Sequence, residues 1–234
     1  MMRFLFCILS TLTLVATVPA TAAGAASHVG VKTCTKCHDV HGESWAATAH
    51  AKAFESLQSG TKAEVKKKAK LDASKDYTKD KDCLGCHSTG FGQPGGYEIG
   101  TAPGGAKALG SVGCESCHGA GGGYRDEHSK AEKKFKKTSE ATPRKTLVAA
   151  GQNFDYERAC ATCHLNYEGS PYKHAKRPYT PFTPAVDPKY RFDFSKAMRS
   201  KALHEHYKLK GVYAGDPVPS MRAEFQKSAK ELPE

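Results

Sequence analysis

Four copies of the pattern Cys-x-x-Cys-His, at 34–38, 83–87, 114–118 and 160–164, constrain this chain more than anything else in it. Nine cysteines and eleven histidines scattered at random over 234 residues would give about 0.02 such matches. The pattern is the attachment signature of c-type haem. The cysteine pairs Cys34 and Cys37, Cys83 and Cys86, Cys114 and Cys117, and Cys160 and Cys163 would each form thioethers to the haem vinyl groups. His38, His87, His118 and His164 would then be the proximal iron ligands. The motifs use eight cysteines, and the ninth, Cys7, lies in a segment expected to be removed.

That segment reads as a secretory signal over residues 1–23, with cleavage between 22 and 26. Arg3 gives a positive start, Phe4 to Val18 an apolar stretch, and Ala20, Thr21, Ala22 and Ala23 a small-residue cleavage region. The apolar stretch is short and interrupted by Cys7, Ser10, Thr11, Thr13 and Thr17; an uncleaved anchor is the rival reading. Nothing later is apolar enough to cross a bilayer. The expectation is an exported periplasmic protein with at most peripheral membrane contact, a monomer whose single domain spans 24–234. Only 39% of the residues are hydrophobic, and the 22 glycines and 12 prolines make a thin core. Four covalently bound haems would supply the missing apolar surface.

The formal charge is +11, and loss of Arg3 takes it to +10. Two propionates on each of four haems would offset about −8, leaving a mildly basic protein and no case for nucleic acid. Lysines cluster over 62–81 and 130–145. They are either a solvated face that also pairs with propionates or a docking surface for an acidic redox partner.

The motifs start 49, 31 and 46 residues apart, with no wider repeat. Trp45, Ala49, Ala53, Phe54 and Leu57 predict a helix over 41–57, and Val65 and Ala69 an inward face on a Lys-rich helix over 61–71. Residues 90–113 are Gly-rich and read as a loop. A short basic helix is predicted over 129–137. Five prolines between Pro171 and Pro188 rule out a regular helix there, and 194–210 reads as the last helix. The fold class is mainly α with much irregular chain.

Seven histidines remain as second axial ligands: His28, His41, His50, His128, His174, His204 and His206. A second histidine makes a haem six-coordinate and suited to passing electrons, whereas its absence leaves an open iron. His50 shares the helical face of Trp45, Ala49 and Ala53. His128 follows the third motif by ten residues and reads equally as ligand or surface residue. Near the carboxyl end, the period linking Met198, Ala202, His206 and Leu209 favours His206 over His204. His28, His41 and His174 read as exposed.

Zinc is the rival for four Cys-x-x-Cys pairs, but an adjacent Cys-His pair rarely serves one tetrahedral ion and export disfavours thiolates. No βαβ pattern supports a thiol-disulfide oxidoreductase.

Several longer runs carry a resemblance. They are Ser44–Trp45 with Thr48–Ala49–His50–Ala51–Lys52, the stretch from Asp72 to Asp82, 113–119, 163–171, 179–184 and 204–209. In these runs the chain resembles the cytochrome c-554 family, tetrahaem periplasmic electron carriers of ammonia-oxidising bacteria. The resemblance implies a multihaem cytochrome c fold built around four covalently bound haems. It implies distal ligands His50, His128 and His204, against the periodicity that favours His206, and a five-coordinate haem at His87. It further implies hydroxylamine oxidoreductase as electron donor and a membrane-bound or soluble cytochrome c as acceptor, leading towards the quinone pool. Nitric oxide reduction at the open haem is the alternative activity, with the Thr180–Pro181–Phe182 turn as a roof over it.

Overall fold

The computed structural model describes residues 26–172, 179–199, 206–207, 210–215 and 230–231. The expected signal segment, His174 and His204 lie outside the described residues.

Each Cys-x-x-Cys-His run forms about one helical turn, which brings its residues i, i+3 and i+4 to one side. The second closes α4 (Lys81–His87), the third is the whole of α5 (Cys114–His118), and the fourth ends α8 (Tyr156–His164). The first begins at the end of α1 (Val31–Cys34), and His38 caps α2 (Asp39–Ala46). Local chemistry sets the starts of two of these. The Asp80 carboxylate accepts from the Asp82 amide at 3.1 Å, and that of Asp155 from the Arg158 amide at 3.1 Å. Helix α1 touches α5, and α5 touches α8, so the first, third and fourth motifs are contiguous.

Between the motifs run α3 (Ala63–Lys68), α6 (Gly121–Thr138) and α7 (Arg144–Ala149), with α9 (Phe194–Met198) following the fourth. Among the described residues the strands form two parallel pairs, each strand two residues long. β1 (Thr142–Pro143) pairs with β3 (Tyr213–Ala214), and β2 (His206–Tyr207) with β4 (Lys230–Glu231). No helix among the described residues is long and apolar enough to cross a membrane.

The apolar core is small and split. One cluster joins Phe54, Leu57, Tyr77, Leu84, Tyr97 and Leu109 beside the second motif; the other joins Leu147, Phe154, Tyr156 and Met198 beside the third. The Gly-rich stretch from Gly90 to Val112 contains no helix or strand, as its composition predicts.

Three element boundaries and one buried residue differ from the sequence expectation. The helix predicted over 41–57 stops at Ala46 and resumes only as a 3₁₀ turn at Glu55–Leu57. Trp45 donates its indole N–H to the Val112 carbonyl, the Val112 amide donates to His50, and the Thr48 hydroxyl donates back to Trp45. These bonds compete with helix propagation. The basic helix predicted over 129–137 begins at Gly121. Its glycines permit close packing: a Cβ on Gly122 would meet the Ser27 carbonyl, and one on Gly123 the Ala150 carbonyl. The Lys-rich helix buries Ala69 as expected and leaves Val65 half-buried, but it also buries Lys66. The last helix ends at Met198, and His206 and Tyr207 are extended. The helical period that favoured His206 therefore does not exist at that position.

Candidate functional site

Four of the eight motif cysteines meet as two pairs between motifs. Cys34 lies against Cys114, joining the first motif to the third, and Cys163 against Cys86, joining the fourth to the second. The hydrogen bond to Cys114 and burial hold Cys34 protonated well above its ordinary range. Burial raises Cys83 to about 11 and Cys160 to about 12. A cleft of about 490 Å³ lies between the second, third and fourth motifs, lined by Gly85, Cys86, Glu115, Ser116, Ala159 and Cys163 among others.

Two imidazoles bound to opposite sides of one iron, each through an Fe–N bond of about 2 Å, have ring centres about 6 Å apart. Two pairs of rings stand at that separation. His38 and His128 are 6.4 Å apart, and His50 and His164 are 5.9 Å apart. Each pair joins a motif histidine to one of the candidate distal histidines, from segments remote in sequence. His41 also lies 5.7 Å from His38, but it is only three residues further along the same chain turn, so its ring stands beside His38. It does not come from an opposing segment.

The surroundings hold these rings in place. His128 projects from α6 between Tyr124, at 5.7 Å, and Tyr213, at 5.3 Å. His164 stacks on Phe192 at 4.4 Å with 14° between the planes. His118 lies 5.4 Å from Tyr156, whose hydroxyl is 3.4 Å from His118 Nδ1. His87 Nδ1 donates to the Ala53 carbonyl at 2.7 Å, and the Ser56 hydroxyl lies 3.1 Å away. That bond puts the proton on Nδ1 and leaves the Nε2 lone pair available to a metal. No other imidazole faces His87 among the described residues.

Electrostatics agree with ligation. Burial lowers the pKa of His50, His87 and His128, and burial together with His50 takes His164 down to about 4. At neutral pH all four are uncharged, the form in which imidazole binds iron. The donor set thus fits covalently held haem: paired thiols, neutral rings and an iron-sized gap between opposed rings.

His204, expected as the third distal ligand, lies outside the described residues. The Thr180–Pro181–Phe182 turn bonds through the Thr180 amide to the Asn166 carbonyl at 2.6 Å, and Phe182 packs on Tyr190. Asn166 follows the fourth motif's His164 by two residues. Sequence reasoning missed Ser56, Tyr156 and Phe192 and the part played by the Ala53 carbonyl. None belongs to a motif, and three act through backbone placement or a ring face.

Comparison with known proteins gives one consistent answer. The family model for cytochrome c554 and c-prime matches residues 33–119, which span the first three motifs. Cytochrome c-554 of Nitrosomonas europaea is 55% identical over 202 residues, covering 86% of this chain and 85% of that protein. The structure of reduced cytochrome c554 from the same organism superposes with a TM-score of 0.81 at 54% identity, covering 89% of this chain and 99% of that one. With its fold and more than half of the aligned residues shared along most of both chains, this protein belongs to the cytochrome c-554 family.

Proposed function

We propose that this member of a family of electron-carrying cytochromes is a periplasmic tetrahaem relay in hydroxylamine oxidation. It takes electrons from hydroxylamine oxidoreductase and passes them to a membrane-bound or soluble cytochrome c, towards the quinone pool. Covalently attached haem supplies one-electron chemistry at iron without a diffusing substrate. Cys34 and Cys37 with His38, Cys83 and Cys86 with His87, Cys114 and Cys117 with His118, and Cys160 and Cys163 with His164 would hold the four groups. His128 would serve as second ligand on the first motif's haem and His50 on the fourth's, which leaves His204 for the third and none for the second.

The observation that carries this reading is the pair of opposed rings, His38 with His128 and His50 with His164, at 6.4 and 5.9 Å. Six-coordinate iron rearranges little on gaining an electron, so closed sites suit transfer. The sulfur contacts Cys34 to Cys114 and Cys86 to Cys163 bring motifs into two adjacent pairs, which supports short hops within each pair. Mixing the oxidised holoprotein with hydroxylamine and catalytic hydroxylamine oxidoreductase in a stopped-flow spectrometer tests the route. Haem reduction that depends on the enzyme is expected; none within seconds would contradict it.

A second reading rests on His87, whose ring is anchored on one side and faced by no imidazole among the described residues. An open iron there would bind nitric oxide. Reduced protein mixed anaerobically with nitric oxide would then lose its reduced spectrum within seconds, whereas an unchanged spectrum would leave only the carrier.

A further inference from the structure

Two oppositely charged side chains are buried beside different motifs, and neither closes an ion pair within 4 Å among the described residues; the opposite charge acting on Lys66 is the exposed Asp76. Lys66, in the basic helix α3, is 4% exposed. Its ammonium donates to the Gln58 carbonyl at 2.6 Å and lies 5.4 Å from the centre of the Tyr77 ring. Gln58 ends the short segment whose Ala53 carbonyl and Ser56 hydroxyl hold His87. Tyr77 packs in the same cluster as Leu84 and Cys83 of the second motif. The ammonium thus braces the same segment that holds His87.

Glu115 lies inside the third motif and is 3% exposed. Its carboxylate accepts three backbone amides, from Val29 at 2.9 Å, Gly30 at 2.7 Å and Gly121 at 2.6 Å. Gly30 caps the helix that begins the first motif, and Gly121 starts the helix that carries His128. A neutral acceptor satisfies Lys66 and neutral donors satisfy Glu115 without neutralising either charge, and a buried charge acts strongly on its surroundings. An electron added to a haem lowers the local charge by one. A nearby ammonium favours that addition, and a nearby carboxylate opposes it.

We propose that Lys66 and Glu115 are positioning residues that separate the haem potentials. Lys66 raises the potential at the second motif, and Glu115 lowers it at the third. The proposal rests on the tetrahaem reading. Electrons entering near the third motif would then run downhill to His87, the site with the open face.

The test uses Lys66→Met, Lys66→Arg and Glu115→Gln in the holoprotein, titrated spectroelectrochemically with EPR to separate the haems. Lys66→Met keeps the length and removes the charge. The ratio of reduced to oxidised iron at the second motif should fall about tenfold at fixed applied potential, a shift of 59 mV for a one-electron couple. Lys66→Arg should restore most of it. Glu115→Gln should move the third motif's haem the opposite way. Unmoved potentials, shifts of the same sign in both variants, or a shift shared equally by all haems would overturn the proposal. A haem count by pyridine haemochrome on the same samples keeps two failures apart. Fewer than four haems per wild-type chain would remove the tetrahaem reading and this proposal with it. Four haems with unmoved potentials would remove the proposal alone.

Discussion

Leu84 is fully buried between Cys83 and Gly85, with its side chain in the cluster of Phe54, Leu57, Tyr77, Tyr97 and Leu109. Replacing it with alanine removes about three methylene equivalents, worth roughly 2.4 kcal/mol of transfer free energy. The ring-rich walls cannot close fully, and a residual cavity of about 50 Å³ would add roughly 1.2 kcal/mol. The loss should therefore be about 3.5 kcal/mol, or a fall in melting temperature of roughly 7–14 °C for a chain of this size. Thermal unfolding of the holoprotein, followed by far-UV circular dichroism and in the Soret band, measures it. Val148, 43% exposed, is the control: Val148→Ala should cost less than about 0.5 kcal/mol. If Leu84→Ala were as mild as Val148→Ala, side-chain packing around the second motif would not be what holds that helix.

Other outcomes follow from the same contacts. His50→Gly and His128→Gly should each convert one low-spin haem to high spin in the EPR spectrum while leaving the haem count unchanged. Chain produced without haem attachment should show no cooperative unfolding transition, because its two apolar clusters are small and separate. Hydrogen bonds from Ser74, Thr78 and Lys189 hold the carboxylates of Asp72, Asp76 and Asp187 below the ordinary value of 3.8. Their contribution is complete above that value and is lost as pH falls through the lower folded values. The triple Asn variant should show a shallower loss of stability than wild type across that acid window in urea titrations.

What the sequence reveals here depends on how local the cause is. The motif cysteines and histidines are legible because one helical turn fixes their mutual placement. The Gly-rich run over 90–113 is legible because its composition disfavours helix and strand locally. His50 stands out through its apolar neighbours, although the segment holding it is a chain of turns tied to Val112. The extent of α6 is not legible, because glycines at 121–123 signal a connector locally. Only their approach to Ser27 and Ala150 explains them as helix. Lys66 is hidden for a similar reason. Among so many lysines nothing local marks the one that folds inward onto Tyr77 and Gln58. The period that points to His206 fails because the chain pairs there as a strand with Lys230 and Glu231.

An EPR spectrum of the fully oxidised protein, with spins quantified per chain, tests the proposed division of the four motifs into three closed haems and one open haem. One high-spin signal, from the haem at His87, and three low-spin signals from iron held between two histidines are expected. Four low-spin signals would contradict it, because some further side chain would then close the second motif's iron.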